Sequence, residues 1–127
     1  MLLVCDSSAA LRIAAGGLSV AADLIAPPLL WSEVLSAVHE AMWRQEIDAG
    51  QAAAIRDRFE ACGIRRDAPR QLHAAAWTVA EELGLAKTYD AEFLGLARLR
   101  SCRVLTTDLR LRRAADRLGL VVGPSEL

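Results

Sequence analysis

Leu2-Leu3-Val4-Cys5-Asp6-Ser7-Ser8 and Val104-Leu105-Thr106-Thr107-Asp108-Leu109-Arg110 follow one pattern. Each is a short apolar run that ends in polar residues and an aspartate, just ahead of a segment that favours helix. Apolar runs this short, without polar alternation, read as strands buried on both faces. The first strand is expected over 2–5 and its counterpart over 103–106. Outward from the first, Ser7 to about Ala15 reads as a helix stopped by Gly16-Gly17. Residues 23–26 form a second strand before Pro27-Pro28, and Pro28 opens a helix reaching about Ile47. Gly50 separates it from a helix over 51–62, and 64–67 reads as a weak strand. Helices follow over about 69–83, with Gly84 as the stop, and over about 89–100. After the strand 103–106 come a helix over 109–118, ended by Gly119, and a last strand over 120–122. Strands alternating with helices imply an α/β fold, a five-stranded parallel sheet flanked by helices on both faces. Right-handed crossovers line the strand C-termini along one edge, where open sheets of this kind hold their ligands.

The bulk numbers agree. A chain of 127 residues, 54% hydrophobic and 24% charged, has the composition of a folded domain rather than a disordered one, and one domain over 1–127 is expected. Fifteen basic residues against sixteen acidic ones give no global surplus that would announce a nucleic-acid partner. Cys5, Cys62 and Cys102 fit neither a zinc pattern nor a disulfide framework and read as reduced thiols of a cytoplasmic protein. No apolar run approaches the roughly 18 residues of a membrane span, and the start lacks a basic leader segment.

Acidic residues gather at the expected ligand edge. Asp6, Asp90 and Asp108 each stand at the start of a helix, where any one of them alone reads as a cap. Glu33 lies inside the helix 28–47, bordered by Leu29, Leu30, Val34, Ala37 and Val38; alone it reads as an edge carboxylate paired with an arginine. Together they point elsewhere. Two unit charges about 4 Å apart repel by about 4 kcal/mol at an effective dielectric near 20. Such a cluster is tolerable when a cation fills it or some members stay protonated. All-oxygen ligation selects Mg²⁺ or Mn²⁺; on the hypothesis of a cation site, Asp6, Asp90 and Asp108 bind one or two ions directly or through water, and Glu33 completes the shell or orients the attacking water. Such an ion activates a phosphodiester and a bound water. Ser8 and Thr106 are placed to support the cluster, although a local cap bond suits Ser8 equally well. Arg110, Arg113 and Arg117 share one helix side by their spacing and are candidate contacts to phosphate groups of a ligand; a solvated face is the alternative. His39 and His73 read as structural or surface groups. Trp43 or Trp77 is a candidate anchor for a protein partner.

Four segments, in order, carry a family likeness: Leu3-Val4-Cys5-Asp6-Ser7-Ser8-Ala9; Ala26-Pro27-Pro28-Leu29-Leu30-Trp31-Ser32-Glu33-Val34; Thr88-Tyr89-Asp90-Ala91-Glu92-Phe93-Leu94-Gly95-Leu96-Ala97; and Val104-Leu105-Thr106-Thr107-Asp108. Their order and spacing resemble the PIN-domain ribonucleases and, more narrowly, the VapC toxins of type II VapBC toxin–antitoxin modules. The likeness runs from about residue 2 to 122, with 48–67 too generic to match. It implies a five-stranded parallel sheet and Mg²⁺- or Mn²⁺-dependent hydrolysis of RNA at Asp6, Glu33, Asp90 and Asp108, with Thr106 in support. It also implies products with 3′-hydroxyl and 5′-phosphate ends, a homodimer, and a VapB-like antitoxin through which alone DNA is reached. Two other readings compete: a PIN-domain RNA-processing nuclease outside any toxin–antitoxin pair, and an interaction module whose acids are only caps. A phosphoacceptor receiver domain does not fit, because Ser7-Ser8 follows Asp6 where a second acid would be needed, and the only lysine, Lys87, precedes Asp90.

Overall fold

A computed structural model describes all 127 residues. The chain runs β1 (Leu2–Cys5), α1 (Ser7–Ala14), β2 (Asp23–Ala26), α2 (Leu29–Trp43), α3 (Ala49–Ala61), β3 (Arg65–Arg66), α4 (Leu72–Leu83), α5 (Tyr89–Leu99), β4 (Arg103–Leu105), α6 (Leu109–Ala115) and β5 (Val121–Val122). The five strands pair in the order β3-β2-β1-β4-β5, all parallel. The α/β fold with a five-stranded parallel sheet is therefore as expected. Successive residues of a strand face opposite sides of its sheet. Leu3, Val4 and Cys5 are all buried, as are Val104 and Leu105, so both faces of the central strands are covered. Twenty-nine buried apolar side chains form one contiguous core.

The winding order positions the site. From β1 the chain steps outward to β2 and β3, then returns through α4 and α5 to lay β4 against the other side of β1. The direction of winding reverses between β1 and β4, and crevices at such points are where open parallel sheets bind ligands. The register sets Cys5 beside Leu105, and the Asp6 N–H donates to the Leu105 carbonyl (3.2 Å).

Helix limits depart from the sequence expectation where caps intervene. The helix expected to reach Ile47 stops at Trp43, and Gln45 adopts a left-handed φ of 61°. Asp48 then caps α3 in a reciprocal arrangement with Gln51, so α3 begins before Gly50 rather than after it. The helix expected from 69 begins at Leu72, and the weak strand 64–67 shrinks to Arg65–Arg66. The helix expected over 109–118 ends at Ala115 and tightens into a 3-10 turn over Asp116–Leu118. No helix is long and apolar enough to cross a membrane.

Helices α4 and α5 pack more extensively than any other helix pair, and a missing side chain permits their close approach. A Cβ built on Gly95 would lie 2.9 Å from Ala76 N and 3.1 Å from the Ala75 carbonyl carbon, both backbone atoms that cannot turn aside. Alanine in place of a helical glycine ordinarily gains about 0.5–1 kcal/mol, whereas overpacking a tight contact costs about 1–3 kcal/mol. Gly95→Ala is therefore expected to destabilise the fold by about 1–2 kcal/mol. Urea unfolding measures it, and an unchanged or raised midpoint would contradict the close approach.

Candidate functional site

Asp6 leaves the end of β1 and is 5% exposed. Its Oδ1 caps α1 by accepting the Ala9 N–H (2.9 Å) and accepts the Ser8 hydroxyl (2.7 Å). Burial pushes the Asp6 carboxyl above its ordinary pKa, and the Asp108 charge adds to the rise. The Thr106 hydroxyl, the Ala9 N–H and the Ser8 hydroxyl work against it.

The neighbouring strand end is tied to the same point. Buried Thr106 follows β4, and its Oγ1 accepts the Asp108 N–H (3.0 Å) while lying 3.3 Å from Ser8 Oγ. Ser8 Oγ also accepts the Thr107 N–H (3.0 Å). One serine hydroxyl thus bridges the turn after β1 and the turn after β4. Asp108 caps α6, its Oδ1 accepting from the N–H groups of Arg110 (2.9 Å) and Leu111 (3.3 Å).

Glu33 and Asp90 come from helices that begin at the same edge. Glu33 lies in the second turn of α2, and its Oε1 accepts the Ser7 hydroxyl (2.6 Å). Partial burial raises its pKa; the Ser7 bond opposes this, and the charges of Asp90, Asp6 and Glu92 reinforce it. Asp90 stands in the first turn of α5. Arg110 Nη2 lies 3.3 Å from Asp90 Oδ2 and 3.3 Å from Asp108 Oδ2. The fold therefore brings Asp6, Glu33, Asp90 and Asp108 to one edge, with Ser8 and Thr106 among them.

Two participants were not singled out from sequence. Ser7 looked like a helix-start residue. Glu92 lies two positions after Asp90, a spacing that does not share a helix face, yet the fold brings its charge near enough to act on Glu33. His73 Nε2 sits 3.9 Å from Glu92 Oε1, with the imidazole largely exposed.

The expected arginine face needs correction. Arg113 and Arg117 do not share one α-helix, because α6 stops at Ala115 and Arg117 lies in the 3-10 turn, where it donates to the Glu82 carbonyl. Arg110 turns onto the acids. Arg113 alone of the three is exposed with neither an ion-pair nor a side-chain hydrogen-bond partner, since Arg117 at least reaches the Glu82 carbonyl. Trp43 is 81% exposed at a groove of about 990 Å³ between α2 and α3, which none of the four acids lines.

Could these residues hold a divalent ion? Four carboxylates and two hydroxyls are the hard oxygen donors that Mg²⁺ and Mn²⁺ take. As the side chains stand, no three of the histidine, cysteine, aspartate and glutamate groups close on one point. A cation nevertheless already stands between Asp90 and Asp108: the Arg110 guanidinium, in the role a metal ion could take. The donor set fits, and Arg110 is what would have to move. No family model and no curated protein matches the chain.

Ser8→Ala removes the donor to Asp6 and the acceptor of the Thr107 N–H together. It is expected to lower stability by about 1–2 kcal/mol in urea unfolding, whereas Ser36→Ala, on the exposed side of α2, stays within about 0.5 kcal/mol. Equal effects at the two positions would show that the Ser8 bridge contributes nothing.

Proposed function

We propose that this chain is a Mg²⁺- or Mn²⁺-dependent endoribonuclease of the PIN-domain type, a VapC-like toxin held in check in the cytoplasm by a VapB-like antitoxin. One observation carries the reading: Asp6, Glu33, Asp90 and Asp108 come to one edge where the winding of an all-parallel sheet reverses, with the hydroxyls of Ser8 and Thr106 beside Asp6 and Asp108.

Asp6, Asp90 and Asp108 would hold the cation, which when bound polarises the phosphodiester and acidifies water. Asp6 is pre-oriented, since the Ser8 hydroxyl and the Ala9 N–H fix one of its oxygens. Asp108 is aimed by the N-terminus of α6. Glu33, held by Ser7 and raised in pKa, is suited to orient the attacking water and accept its proton. The water oxygen forms a bond to phosphorus as the bond from phosphorus to the 3′ oxygen breaks. The electron pair leaves with that oxygen, which is then protonated. The ends are a 5′-phosphate and a 3′-hydroxyl. Arg113 is free to meet an RNA phosphate. The α2–α3 groove with Trp43 offers an apolar seat for an antitoxin segment, and Trp77, also exposed, a second anchor for the antitoxin or for the other copy in a homodimer.

The test compares antitoxin-free protein with its Asp90→Asn variant on total cellular RNA, with Mn²⁺ and with EDTA, sequencing the new 5′ ends. Discrete cuts bearing 5′-phosphates are expected only with Mn²⁺, and about 100-fold or more weaker in the variant. Cleavage that survives EDTA, or ends that carry 2′,3′-cyclic phosphate, would sink the mechanism. The Arg110 bridge favours a second reading, since it gives Asp90 and Asp108 a counter-ion without any metal. There the acids are caps and the chain is a binding module; no cuts under any condition, from folded protein, would select it.

A further inference from the structure

Four arginines lie on the stretch 110–117, and three are committed elsewhere or free. Arg112 pairs with Glu126 and with Asp116. Arg117 donates to the Glu82 carbonyl. Arg113 touches no acid. Only Arg110 reaches the carboxylate cluster, and it holds Asp108 by both oxygens: its N–H donates to Oδ1 and its guanidinium to Oδ2. The same Nη2 reaches across to Asp90 Oδ2 on α5. The link is not locked. The Arg110 side chain is 69% exposed and the two carboxylates about one-third, so water and ions reach it.

We infer that Arg110 is an internal counter-ion: it closes the acid cluster while no divalent ion is present and must leave when one binds. A divalent ion brings twice the charge and binds oxygens at roughly 2.0–2.1 Å, well inside the 3.3 Å reach of the guanidinium. Two exposed ion pairs are a weak barrier. Once displaced, the guanidinium is free to take a phosphate of the polyanionic substrate as its replacement partner. This rests on the divalent-ion reading of the site.

The test is a Mn²⁺ titration of the full chain, following free Mn²⁺ by electron paramagnetic resonance, for wild type, Arg110→Ala, Arg110→Gln, Arg113→Ala and Asp108→Asn, each shown folded by circular dichroism. Arg110→Ala and Arg110→Gln are expected to bind Mn²⁺ about 2- to 30-fold more tightly than wild type. Arg113→Ala, which removes the same charge one turn away, stays within about 2-fold, and Asp108→Asn binds at least about 10-fold more weakly. Wild-type affinity in both Arg110 variants, with Asp108→Asn weakened, would overturn the counter-ion role and leave the cation site standing. An equal gain in Arg113→Ala would overturn it too, since net charge rather than contact would then be responsible. No Mn²⁺ binding in any variant would overturn both the role and the cation site beneath it.

Discussion

The register of β1 against β4 governs the acid edge. Val4 pairs with Ile25 on one side and Val104 on the other, and Cys5 lies beside Leu105. Both faces of β1 are covered by apolar side chains, so a slip of one residue would exchange every side chain between the two faces without relieving any of them. With that register set, the residues that follow, Asp6 and Thr106, emerge side by side without further instruction. Ser8 then needs only to turn back to reach both strand ends.

This placement has an electrostatic cost that the surrounding dipoles offset. A carboxylate as buried as Asp6 loses most of its hydration, an expensive change unless hydrogen bonds replace it. The replacements are an α1 N–H and hydroxyls from both strand ends. Glu33 gains the Ser7 hydroxyl, Asp108 two N–H groups of α6, and Asp90 and Asp108 share a guanidinium. The outermost acids take the full charge of Arg110, while the inner ones take only dipoles. The positive charge is thus concentrated on the solvent side of the cluster, where an exchangeable partner can reach it.

The central strands were legible because an uninterrupted apolar run can be satisfied only by burial on both faces, and 2–5 and 23–26 match residue for residue. Asp6 and Asp108 were legible for a related reason: a charged residue that follows such a run must lie at the rim of the sheet. Glu33 and Asp90 sit in helices, and no such run marks them. Helix limits were less so. Asp48 looks like any surface acid until its side chain and that of Gln51 exchange bonds with each other's backbone, and that exchange, rather than Gly50, starts α3. The arginines were least legible. Helical spacing gives the direction of a Cβ but not the partner that a long side chain finds. Arg110, Arg112 and Arg117 each follow a partner that packing brought near: Asp90 on α5, Glu126 beyond β5, and the end of α4.

The sheet is flanked at both borders by strands of only two residues, β3 and β5, and the residues of β3 are Arg65 and Arg66. A border this short offers another chain almost no unpaired ladder to extend, and one that is doubly cationic repels an identical border. Continuation of the sheet from copy to copy, the common route to fibrous aggregation, is closed at both sides. Association of this chain with itself or with another protein is thereby directed to its helical surfaces.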